Sequence, residues 1–73
     1  MNNFKTLNFS NELGTTTIIE LDNNTIGCIE LKEGRFLVSI NDDKGNYADL
    51  DHAKREIAEF LSGEDTQLTV TNN

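Results

Sequence analysis

Residues 15–40, TTTIIELDNNTIGCIELKEGRFLVSI, decide how the rest of the chain can fold. Residues 15–22 are rich in Thr and Ile, and β-branched side chains fit a pleated, extended chain better than a helix. Asn23-Asn24 follows; asparagine tolerates positive φ, so a two-residue hairpin turn is expected there. Residues 25–32 then return as a second strand, Glu33-Gly34 makes a second tight turn, and residues 35–41 form a third strand. Asp42-Asp43-Lys44-Gly45 reads as a third turn, with Gly45 suited to a left-handed position, and residues 46–48 as a short fourth strand. The product is an antiparallel β-meander of three to four strands.

Downstream the apolar period changes from two to about 3.6. Leu50, Ala53, Ile57, Phe60 and Leu61 fall on one face of a helix over about residues 50–62, with Asp51, His52, Arg55, Glu56 and Glu59 opposite. Asp49 is placed to cap the first turn through its carboxylate, and Asp51 precedes Arg55 by four, the favourable order for an ion pair. Ser62-Gly63 ends the helix, with Gly63 as a left-handed cap. Residues 67–71 alternate as a short C-terminal strand, whereas Phe4, Leu7 and Phe9 form an apolar set without clean period two. The expected fold is therefore α+β, one small domain over residues 1–73, with the helix packed on one face of the sheet.

Two-residue turns fix a register, and the register assigns faces. Ile18 is expected opposite Ile29, Leu31 opposite Phe36, and Ile29 opposite Val38. One face then collects Ile18, Ile29, Leu31, Phe36, Val38 and Ile40, a bed for the helix. The other collects Ile19, Leu21, Ile26, Cys28 and Leu37 among Thr15, Thr17, Glu30, Lys32, Arg35 and Ser39. A solvated sheet face should alternate more cleanly, so this apolar surplus asks for a cover. The candidates are the terminal segments (Phe4, Leu7 and Phe9, or Leu68 and Val70), a second copy of the chain, or a different protein.

Composition limits the chemistry. Seventy-three residues leave room for one domain, and 13 acids against 6 bases give a net charge of -7. That sign argues against direct binding to nucleic-acid phosphates or anionic lipid. Cys28 is the one cysteine, so neither an internal disulfide nor a thiolate metal site is available. No apolar stretch approaches the roughly 18 residues of a membrane span, and no basic-then-apolar leader opens the chain, so a cytoplasmic protein is expected. His52 lies on the solvent face of the helix with no nucleophile nearby in sequence. Residues 41–46 are oxygen-rich, but a calcium loop that put Gly45 sixth would make Ile40 and Lys44 ligands. With no phosphate loop, no His/Cys pairing and no nucleophile elbow, the chain is expected to be neither an enzyme nor a holder of cofactor or metal. What remains is the acidic surface. It is densest at Asp42-Asp43 with Asp49 and Asp51 around the third turn and the helix start, and again at Glu64-Asp65. It serves either solubility alone or docking onto a basic groove, from which it would exclude nucleic acid.

Residues 34–40, the acidic turn and residues 47–61 resemble the hairpin-plus-helix layout of small three-stranded DNA-binding domains. Those domains carry basic and aromatic residues on the open sheet face, where this chain has Glu30 and Ser39 with Lys32 and Arg35 as the only bases. In overall character (short, acidic, rich in asparagine, without motifs) the chain is similar to phage-encoded anti-CRISPR and other anti-defence inhibitors, small antitoxins and immunity proteins. That resemblance implies a protein that occupies the basic surface of a nucleic-acid-processing enzyme, in the host cytoplasm if phage-encoded, and it assigns no individual residue. The expected contact residues, from charge and position, are Asp42, Asp43, Asp49, Asp51, Glu56 and Glu59, with Tyr47 as an apolar anchor. The alternative is a self-associating structural or accessory protein that buries Ile19, Leu21, Ile26, Cys28 and Leu37 in a homodimer.

Overall fold

A computed structural model describes residues 3–12, 14–63 and 66–72. It is an α+β fold with more strands than the meander reading allows. In chain order the elements are β1 (Asn3–Glu12), β2 (Thr16–Leu21), β3 (Asn24–Lys32), β4 (Arg35–Ile40), β5 (Asp43–Tyr47), α1 (Leu50–Leu61) and β6 (Thr66–Asn72). They build one six-stranded sheet in the order β5-β4-β3-β2-β1-β6. Neighbours from β1 to β5 pair antiparallel, while β6 runs parallel to β1, so the sheet is mixed. The N-terminal apolar set is thus not a flap over the sheet but an inner strand, with Leu7 and Phe9 in the core. The C-terminal strand is an edge that lies beside β1.

This topology dictates the helix position. β5 and β6 are the two edges, and α1 connects them, so the helix must cross one face of the sheet. Five inter-strand gaps span about 24 Å if flat, whereas 12 helical residues reach about 18 Å. The sheet curls, which brings the edges toward the ends of the helix. Between α1 and the sheet lies the core of Leu7, Phe9, Ile19, Ile29, Val38 and Ile40 with Ala53 and Ile57 of the helix, and Thr17 is the one buried polar residue among those described. The Lys54 ammonium sits 5.3 Å from the Phe9 ring centroid, its charge over the aromatic face.

The turn chemistry differs from the sequence reading in detail. Glu33-Gly34 is the expected turn, with φ of 51° and 76° and Lys32 paired to Arg35. The first turn is centred on Asp22-Asn23 (φ 51° and 69°), one residue earlier than Asn23-Asn24. The third is centred on Asn41-Asp42, with Asn41 at φ 52° and Ile40 paired to Asp43. Gly45 consequently lies within β5 rather than in a turn. At the helix ends Asp49 occupies the N-cap position, but its carboxylate makes no capping hydrogen bond; its carbonyl accepts from the Ala53 amide at 3.1 Å. The C-cap is extended Ser62, not a left-handed Gly63, and its amide donates to the Ala58 carbonyl at 3.0 Å.

The largest correction concerns the two faces. A one-residue shift of a two-residue turn moves both strands together and preserves their facing sets. A bulge does not. Between β2 and β3 the register slips: Glu20 pairs with Thr25, but Ile19 pairs with Gly27, leaving Ile26 as the extra residue. Ile18 then faces Cys28 instead of Ile29, and Thr17 faces Ile29. Ile19 is fully buried, and Leu21 and Ile26 pack against the core. The set Ile19, Leu21, Ile26, Cys28 and Leu37 is therefore not one surface. Three of its members belong to the helix side, and only Cys28 and Leu37, with Ile18, remain half-buried on the open side.

Candidate functional site

The open face is mostly polar. Asn8 links three strands there: its Nδ2 donates to Glu20 Oε1 at 2.9 Å, and its Oδ1 accepts from Thr71 Oγ1 at 2.6 Å. Ser10 Oγ donates to the same Glu20 oxygen at 3.3 Å, and Arg35 Nε donates to Asn46 Oδ1 at 2.7 Å. Lys32 and Glu30 approach to 4.0 Å, an exposed pair that contributes little to stability. These side chains satisfy one another and leave a thin apolar stripe, not a patch.

The helix side is different at its β5 margin. Along β5 the period of two places Asp43, Gly45 and Tyr47 on the face toward α1, opposite Ile40, Val38 and Phe36 of β4. Along α1 the spacing of four stacks Glu56 and Phe60 on one side, with Ile57 beneath. The two rows do not close on each other. Between them is a cavity of about 210 Å³, lined by Val38, Ile40, Ile57, Phe60, Tyr47, Gly45, Asp43, Lys44 and Glu56. Its floor is core residues, its walls include two aromatic rings, and its polar rim carries two carboxylates. Lys44 adjoins it from a strand position that alternates to the open face, paired with Ser39.

Gly45 is what allows this shape. A Cβ there would lie 2.7 Å from Tyr47 Cε2 and 3.0 Å from its hydroxyl, so the Tyr47 ring folds back over the glycine. His52, exposed on the first turn of α1, meets that ring edge-on, with centroids 5.2 Å apart and planes at 71°. Phe60 is 59% exposed although it lies on the apolar stripe of the helix. The helical period alone predicts a core-facing position for Phe60; its i+4 spacing from Glu56 places it at the edge of the apolar stripe. Among the described residues neither the Asp43 nor the Glu56 carboxylate has a hydrogen-bond or ion-pair partner.

The acidic contact residues are therefore divided. Asp43, Glu56 and Tyr47 line one cavity. Asp42 is exposed in the adjoining turn. Asp49 and Asp51 lie beyond the other end of β5, about 13 Å along the strand, so the third turn and the helix start do not gather their acids at one end. Glu59 looks the other way, onto a shallower hollow shared with Ala58, Leu68 and Val70. Glu64 and Asp65 lie outside the described residues. Among the described residues no helix is long and apolar enough to cross a membrane. No protein-family model, curated protein or solved structure matches the chain.

Proposed function

We propose that the protein is a non-enzymatic, acidic binding module that docks on a basic protein surface, in particular the nucleic-acid-binding surface of a processing enzyme, and so inhibits it. One observation supports this above the others: the α1–β5 margin joins an accessible apolar floor and two rings to unpaired carboxylates at Asp43 and Glu56. Asp42, Asp49 and Asp51 extend the negative field along the same edge. A net charge of -7 speeds encounter with a basic partner, and the apolar groove holds the complex once formed. A cavity of about 210 Å³ is smaller than the roughly 300–1,000 Å³ of ordinary small-molecule sites, which favours insertion of a side chain over a bound substrate.

The test is affinity capture from the cells that naturally express the chain, followed by assay of the captured enzyme on its nucleic acid. The expected result is a basic enzyme that is inhibited on binding and whose association slows as salt shortens the Debye length toward about 8 Å. Asp42→Lys with Asp49→Lys should then abolish capture. A captured enzyme that works at full rate in the complex overturns the reading, as does capture indifferent to both charge reversals.

A second reading, self-association, is favoured by a different element. β6 is an edge strand of sequence TQLTVTN, without a charge; its Val70 is 48% exposed, and Phe4 on the neighbouring β1 is 71% exposed. Uncharged, β-branched edges invite strand addition. Light scattering during gel filtration reads this directly: a dimer that Thr69→Lys converts to monomer supports it, and a monomer at high concentration removes it.

A further inference from the structure

Resting on the binding-module reading, we propose that the α1–β5 cavity is the receptor for a single arginine side chain of the partner. The lining argues for this chemistry in three steps. The floor of Val38, Ile40 and Ile57 accepts an aliphatic stem but offers no polar group to a buried head. The Tyr47 and Phe60 side chains both line the same volume, and an aromatic ring there offers a cation a site to stack on. Asp43 lines it from the strand and Glu56 from the helix, and with Lys44 also on the lining two negative charges stand against one positive. Neither carboxylate is engaged by another described residue, so both are available to a donor. An anionic occupant would meet both carboxylates as like charges, and a purely apolar one would leave them without a partner. Among cations, guanidinium is favoured over ammonium. It is planar, stacks on aromatic faces, is weakly hydrated, and presents a donor fork that can meet two acceptors.

The experiment uses the whole chain and a minimal probe, N-acetyl-arginine methylamide, followed by backbone and aromatic NMR shifts. Tyr47 is the sole tyrosine and there is no tryptophan, so intrinsic fluorescence supplies a second readout from the cavity itself. The expected result is saturable, millimolar binding with shifts centred on Gly45, Tyr47, Ile57 and Phe60. The neutral isostere N-acetyl-citrulline methylamide should bind about tenfold more weakly, the scale of one desolvated cation–π contact. Glu56→Gln and Phe60→Ala should each weaken arginine binding several-fold, whereas Glu33→Gln, an exposed acid in the second turn, should not. Phe60 is largely exposed, so its truncation leaves the fold intact, and the NMR spectrum verifies this.

Absence of saturable shifts overturns the proposal. So does equal binding of the citrulline probe, which would make the groove merely apolar, or of the corresponding lysine probe, which would make it a reader of bare charge. Equal loss in Glu33→Gln would reduce the effect to diffuse attraction and overturn it as well. If the probe fails while capture of an enzyme persists and still depends on Asp42 and Asp49, only the arginine assignment falls. If the probe binds and no basic enzyme is inhibited, the cavity stands and the inhibitor reading falls.

Discussion

Two glycines mark the contrast between the closed and open seams of this domain. At Gly27, where the β2–β3 bulge meets β4, an added Cβ would run into the Ser39 carbonyl oxygen and touch the Ile40 backbone at 3.0 Å. At Gly45, the three atoms nearest to an added Cβ all belong to the Tyr47 side chain. Backbone cannot move without breaking strand pairing; a ring can rotate. The β2–β3–β4 seam is therefore packed shut around Ile19, Ile29 and Ile40, while the β5–α1 seam ends in movable side chains and a cavity. Stability is concentrated in the first seam, and the surface on which the proposed function rests lies along the second.

The sharpest way to break this contrast is Gly27→Ala. It should destabilise by about 3 kcal/mol or more, the upper range for overpacking. A domain of this length has on the order of 4–11 kcal/mol in total, so urea unfolding should show a much reduced midpoint or no folded baseline. Next in size is the pair Ile19→Ala and Ile18→Ala, neighbours in sequence on opposite faces. Ile19 is fully buried, and its truncation should cost about 2–4 kcal/mol, within the range for buried aliphatic side chains. Ile18 is half-buried on the open face, and its truncation should cost less than about 1 kcal/mol. Equal losses, or the reverse order, would mean that the bulge is misplaced and that the straight register holds.

Those two isoleucines show what the sequence could convey. The apolar set on β3 and β4 (Ile29, Phe36, Val38, Ile40) was legible because the Glu33-Gly34 turn pins their register and both strands alternate. The β2 set was not, because a bulge leaves no local signature beyond a glycine, and shifting one residue inverts every facing on that strand. The parallel pairing of β6 with β1 was equally hidden. Its partners lie more than fifty residues apart, as in the Thr71–Asn8 hydrogen bond, and no turn encodes such a contact. For the site, acidity and Tyr47 were legible from composition and position. Which acids share a cavity was not, since Asp43 and Glu56 line the same one only because α1 packs beside β5.

The smallest expected effect tests the open seam. Gly45→Ala introduces a Cβ that the Tyr47 ring must yield to, which costs packing, but it also removes a glycine from a strand. Gly45 does not have positive φ, so alanine fits the backbone there and should recover about 0.5–1 kcal/mol of chain entropy. The two terms oppose each other, and the net change in unfolding free energy should be below about 1 kcal/mol. The ring itself should still move. The edge-on Tyr47–His52 contact should disappear from nuclear Overhauser spectra, Tyr47 emission should change, and arginine-amide binding should weaken without any alteration in net charge. Loss of folding on the scale of Gly27→Ala would instead show that β5 is held as tightly as β3. A seam that rigid could not adjust to an incoming side chain, and the division between a packed half and a receptive half would have to be abandoned.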